Sequence, residues 1–155
     1  MLALLEHSAP ALLLRQSAIA YPLANAAHIL SIALLIGAIA TLDLRLLGFF
    51  RAAPLAVLAP PLVRIAGLGL AFALATGAFL FIVRPGAYLA NPAFLAKLAL
   101  VALGIGNAAL QHRRAGWHAA LDGARPTVSV KLGAAASLAI WVAALLAGRW
   151  IGFVE

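Results

Sequence analysis

The sequence predicts an all-α integral membrane protein, a four-helix bundle with a short N-terminal interfacial helix. Three observations carry that reading. Of 155 residues, 66% are hydrophobic and 10% charged, against roughly 45–50% and ~25% in soluble domains. The mean hydropathy is +1.10. Apolar stretches near the ~20 residues needed to cross a bilayer recur along the chain, and four of them qualify. A soluble fold of this size cannot cover so much apolar surface with so few charges, and disorder requires the opposite composition. The chain has no cysteine, which removes disulfides, thiolate metal sites, iron–sulfur clusters and covalent c-type haem. A net charge of +7 would suggest nucleic acid in a soluble protein. Here the positive residues flank apolar runs and read as membrane orientation, so the expected partner is the lipid bilayer and not nucleic acid.

Residues 2–17 come first. A signal peptide needs a basic segment before its apolar run, but Glu6 and His7 stand there and Arg15 is the first basic residue. Ser8-Ala9-Pro10 interrupts the stretch, since proline suits the first turn of a new helix. The segment reads as an interfacial helix retained on the mature protein. The four spans are then approximately 21–47, 62–83, 93–110 and 132–151. Ala59-Pro60-Pro61 opens the second, Pro85-Gly86 follows it, and Asn91-Pro92 caps the third with an N1 proline. Residues 1–155 form a single membrane domain.

Lys and Arg in the short loops set the orientation. Arg45, Arg51, Arg64, Arg113, Arg114, Arg125 and Lys131 follow the first and third spans, whereas Arg15, Arg84 and Arg149 lie on the other side. Seven against three places both termini outside, in a multi-pass protein of the bacterial cytoplasmic (inner) membrane. Tyr21 and Trp150 fit the outer aromatic belt and Trp117 the cytoplasmic one. Small residues allow close helix contact in lipid. Gly69, Ala73 and Gly77 form such a stripe on the second span, and Gly148 with Gly152 offers a homodimer seam on the fourth.

An ionisable side chain deep in a span costs roughly 2.5–3.5 kcal/mol on insertion scales and is a functional hypothesis by default. At 1.5 Å per residue, His28 and Lys97 lie about 10 Å and 7 Å in from the outer ends of their helices, with Thr76 near the same level. Asn25 shares the face of His28 one turn away. Asn25, His28, Thr76 and Lys97 are therefore the ligand-binding candidates, converging in the outer third of the bundle. The alternative is that Lys97 snorkels to the outer headgroups and His28 bonds a neighbouring carbonyl.

A second polar group, Asp43, Arg45, Arg64, Asn107 and His112, with Gln111 beside it, gathers at the cytoplasmic end. Asp43 lies eighteen residues from Asn25, a whole number of turns, and so faces the same way. Pairing with Arg64 or Asn107 would neutralise it, and the group reads as a structural cluster fixing helix ends. No phosphate loop, HExxH, GxSxG or acidic pair at catalytic spacing occurs, so neither a catalytic residue nor a metal site is expected.

Tyr21-Pro22, Asn25, His28, Gly37 and the run Asp43-Leu44-Arg45-Leu46-Leu47-Gly48 resemble an uncharacterised family of small four-helix bacterial membrane proteins, a domain of unknown function. Thr76-Gly77, Pro85, Tyr88, Asn91-Pro92-Ala93-Phe94, Lys97, Asn107 and His112 continue the resemblance through the third span. It implies the architecture and picks out residues without implying an activity. A more distant likeness is to the copper-resistance protein D membrane domain. That likeness implies copper handling, for which this chain offers no Cys and a single Met, at position 1, as soft ligands.

Three functional readings stand. The first is a permease-like or partner subunit whose outer pocket recognises a small anionic group through Lys97 and His28. The second is a redox subunit holding haem b or a quinone at His28. Its bis-His form fails because His28 and His112 lie about 20 Å apart along the normal. The third is a purely structural assembly factor for another membrane protein, in which the polar residues serve packing alone. No cofactor is required by the first or the third.

Overall fold

A computed structural model describes residues 6–153. Among the described residues the helices follow in the order α1 Ala9–Gln16, α2 Ala20–Leu47, α3 Leu55–Phe81, α4 Pro85–Ala90, α5 Pro92–Arg113, α6 Ala115–Leu121 and α7 Val128–Trp150. No strand occurs among the described residues. Four of these helices, α2, α3, α5 and α7, are 28, 27, 22 and 23 residues long and apolar enough to cross a membrane. At 1.5 Å per residue the shortest is about 33 Å long, which covers a hydrocarbon core of about 30 Å. The protein is a multi-pass membrane protein with a short helix before the first span. Residues 2–5 of the expected interfacial helix lie outside the described residues.

Spans α2 and α7 start close to their expected positions, but α3 begins seven residues before the expected position 62. Pro60 and Pro61 sit inside it, where they remove two backbone donors near the N-terminus. The carbonyls left over belong to Ala56 and Val57, which are both exposed and open to water or headgroups. Asn91 caps α5 as expected: its Oδ1 accepts from the Ala93 and Phe94 N–H groups at 3.0 and 3.2 Å. Its Nδ2 donates to the Ile151 carbonyl at 3.2 Å, which ties α5 to the end of α7. Arg15 on α1 donates through Nε to the Val83 carbonyl at 3.1 Å, pinning α1 to the end of α3.

Packing pairs α2 with α3 and α5 with α7, and α2 against α7 joins the two pairs. The outer members, α3 and α5, barely touch. The pairs close through small residues. A Cβ on Gly69 would lie 2.8 Å from the Leu35 backbone nitrogen and 2.9 Å from the Ser31 carbonyl oxygen, so only glycine lets α2 and α3 approach this far. Gly104 on α5 receives the Trp141 indole of α7. Gly148 faces the Lys97 side chain within the same chain, so this half of the expected homodimer seam serves internal packing.

The densest core lies at the arginine-rich end and includes Leu42, Leu46, Leu55, Ala59, Trp117 and Val130. Trp117 therefore does not stand in an aromatic belt. The segment expected as loop folds into α6 and carries Trp117 inward, leaving it 4% exposed. Tyr21 and Trp150 are exposed at the opposite end. Large apolar side chains such as Ile29, Leu30, Phe72, Leu103 and Leu146 face outward, as a lipid solvent permits.

Candidate functional site

The outer group comes together only in part. His28 Nδ1 and Thr76 Oγ1 are 2.9 Å apart across the α2–α3 interface. The Thr76 hydroxyl donates to the Phe72 carbonyl at 2.6 Å, and the His28 ring also bonds the Ala73 backbone, the neighbouring-helix bond expected as the alternative to a ligand site. The same ring packs on Gly77, where a Cβ would be 3.1 Å from Cε1. Lys97 is within electrostatic reach of His28, yet its stem runs along Gly148 on α7. Asn25 is exposed. Three residues between Asn25 and His28 turn the helix by 300°, and that offset carries Asn25 off the α3 contact that His28 makes.

The arginine-rich half holds the stronger constellation. A cavity of about 210 Å³ lies where α3 and α5 part, with α2 and α7 behind it and Trp117 of α6 at one end. Leu42, Leu62, Val63, Ala66, Leu70 and Ile105 supply apolar wall. Asp43, Ser137, Asn107, Gln111 and His112 supply the polar part, and Trp117 and Trp141 the aromatic part.

Asp43 and the arginines do not pair. Among the described residues, the side-chain partner of the Asp43 carboxyl is Ser137 on α7, with no cation beside it. Arg45 is two residues on, about 200° around the helix, and its Nε donates to the Ala53 carbonyl at 2.7 Å in the α2–α3 loop. Arg64 is exposed. Asn107 also turns away from Asp43, donating to the Gly133 carbonyl at 3.0 Å. Gln111 donates to the Val130 carbonyl at 2.8 Å and accepts from Arg114 at 2.9 Å. The two amides are thus spent on holding α5 to α7.

Two of the residues that line the cavity each keep one buried atom without a hydrogen-bond partner in the protein, Asp43 Oδ2 and His112 Nε2. Asp43 is 6% exposed. His112 Nδ1 lies 2.7 Å from the Ala108 carbonyl. A carbonyl can only accept, so Nδ1 holds the ring proton and Nε2 is a bare acceptor in the neutral imidazole. Each unsatisfied buried group costs about 1–3 kcal/mol. Such groups call for a reason beyond packing.

Sequence spacing puts Asp43 and His112 at one end but groups them with the arginines, and it brings neither Ser137 nor Trp141 into a site. The spacing Gly133/Ser137/Trp141, every fourth residue on α7, is the signal that could have put those two on one face. Among the described residues, no three His, Asp or Glu side chains gather where they could hold a metal ion.

No curated protein and no solved structure matches this chain. Over residues 16–154 it matches the model of a family of unknown function (DUF6644), and the chain belongs to that family.

Proposed function

We propose that this protein is a membrane-embedded ligand-binding subunit, permease-like in layout, whose site is the cleft between α3 and α5. The observation that carries this reading is the pair of buried acceptors, Asp43 Oδ2 and His112 Nε2, on one cavity whose amide side chains are already committed. The ligand brings hydrogen-bond donors to those two atoms and an apolar body to the surrounding walls. At about 210 Å³ the cavity is smaller than the ~300–1,000 Å³ of drug-sized sites, so it takes a small head group.

The same chemistry argues against the redox alternatives. A quinone presents two carbonyl acceptors, which a neutral His112 Nε2 cannot satisfy. A haem macrocycle exceeds the cavity. The outer group suits an anion less well, because the His28 ring is engaged with Thr76 and the Ala73 backbone and Asn25 is exposed. An assembly factor has no use for unsatisfied acceptors in its interior.

The test is mass spectrometry of small molecules retained by the protein purified in lipid nanodiscs. A compound held by the wild type and reduced at least tenfold in both Asp43→Asn and His112→Phe is expected. Equal retention by all three proteins overturns the reading.

A further inference from the structure

We propose that the ligand of the α3–α5 cleft is a protonated lipophilic amine; this rests on the binding role given to the cleft above. The ammonium nitrogen would donate to both Asp43 Oδ2 and His112 Nε2, the two buried acceptors that no protein group satisfies.

Charge comes first. Asp43 is a carboxyl inside the bundle with a serine, not a cation, as its side-chain partner. The nearby cations are engaged elsewhere: Arg45 on the Ala53 carbonyl, and Arg114 on Gln111 Oε1 and the Ser129 carbonyl. A cationic guest supplies the countercharge that the chain withholds. Hydrogen bonding comes second. A hydroxyl has one proton to give, whereas a protonated primary amine has three on one atom. One head group can therefore satisfy the carboxylate and the imidazole together.

The walls agree with both points. Trp117 and Trp141 line the cavity beside the acceptors, and indole faces attract cations. Leu62, Val63, Ala66 and Leu70 of α3 accept an apolar tail. Because α3 and α5 barely touch, an amine dissolved in the lipid with its head near the interface would enter between them.

Isothermal titration calorimetry on the full chain in nanodiscs, with empty nanodiscs subtracted, tests this using four compounds. They are 4-phenylbutylamine, 4-phenylbutan-1-ol, 4-phenylbutyltrimethylammonium and tetramethylhydroquinone. The amine is expected to bind once per chain. Asp43→Asn is expected to weaken it at least tenfold and His112→Phe at least threefold, and the alcohol and the trimethylammonium, which lacks N–H donors, are expected to bind at least tenfold more weakly. If the alcohol or the hydroquinone binds as tightly as the amine with the same dependence on Asp43, the cleft keeps its binding role and the amine assignment is overturned. If no compound binds above the empty nanodiscs, both fall. Should Asp43→Asn not fold, Ala66→Phe fills the cavity from α3 with Asp43 intact. Undiminished amine binding by that variant also overturns the proposal.

Discussion

His112 stands edge-on against Trp117, with ring centroids 4.8 Å apart and planes at 62°. The contact fixes an imidazole whose Nδ1 is already tied to Ala108 and whose Nε2 is buried without a partner. A histidine held by two contacts and unsatisfied at Nε2 would suit a guest, at the expense of the stability of the protein alone.

That cost is measurable. His112→Phe keeps the ring on Trp117 and removes the unsatisfied nitrogen, losing one intrahelical bond to Ala108. We expect the ligand-free protein to gain about 1 kcal/mol, because the desolvation penalty of an orphaned acceptor exceeds the net worth of a hydrogen bond. Thermal unfolding in detergent checks this. A marked loss of stability would make His112 a packing residue.

The α2–α3 contact makes Gly69 intolerant. Gly69→Ala puts a methyl group 2.8–2.9 Å from backbone atoms of Ser31 and Leu35, which cannot swing aside. A loss of about 1–3 kcal/mol is expected, despite alanine's better helix propensity of up to ~1 kcal/mol. Gly106→Ala meets nothing within 4 Å and is expected to be neutral or stabilising in the same assay.

Tyr88 on α4, outside the spans, packs against Phe81 and Phe94 with centroids 6.1 and 5.1 Å away. Burial, and next the adjoining Tyr21 phenol, raise its pKa above the ordinary 10.0. The folded protein then holds this proton to higher pH than the unfolded chain does. The resulting stability is present below about pH 10 and is lost as pH rises through the folded value. The melting temperature should fall more steeply above about pH 10 in the wild type than in Tyr88→Phe. Parallel curves would contradict this.

The absence of cysteine makes the orientation directly testable. Asp122→Cys, in the turn between α6 and α7, and Gly86→Cys, on α4, occupy exposed positions at opposite ends of the bundle. From the positive-inside count, a membrane-impermeant maleimide applied to intact cells should label position 86 and leave position 122 unlabelled. The reverse pattern would invert the topology.

Much of this molecule is set by the sequence alone. Span number follows from apolar runs longer than a bilayer is thick, and the sorting of arginines to one end follows from the alternation of spans. Asn91-Pro92 marks the start of α5 because a capping side chain and an N1 proline need no tertiary partner. The tertiary structure decided helix rotation and pairing. In lipid an apolar face has no preferred direction, so hydropathy does not say that α2 takes α3 and α7 as neighbours while α3 and α5 stand apart. Several helices carry small residues, and it is mutual fit, Gly69 on the α2 backbone and Gly104 under Trp141, that selects the pairs. Their selection parts Asp43 from every arginine, and the fold of α6 brings Trp117 inward from the surface. The proposed site rests on three-dimensional packing that leaves two unsatisfied acceptors among the residues of one cavity, an arrangement that neither spacing nor composition encodes along the chain.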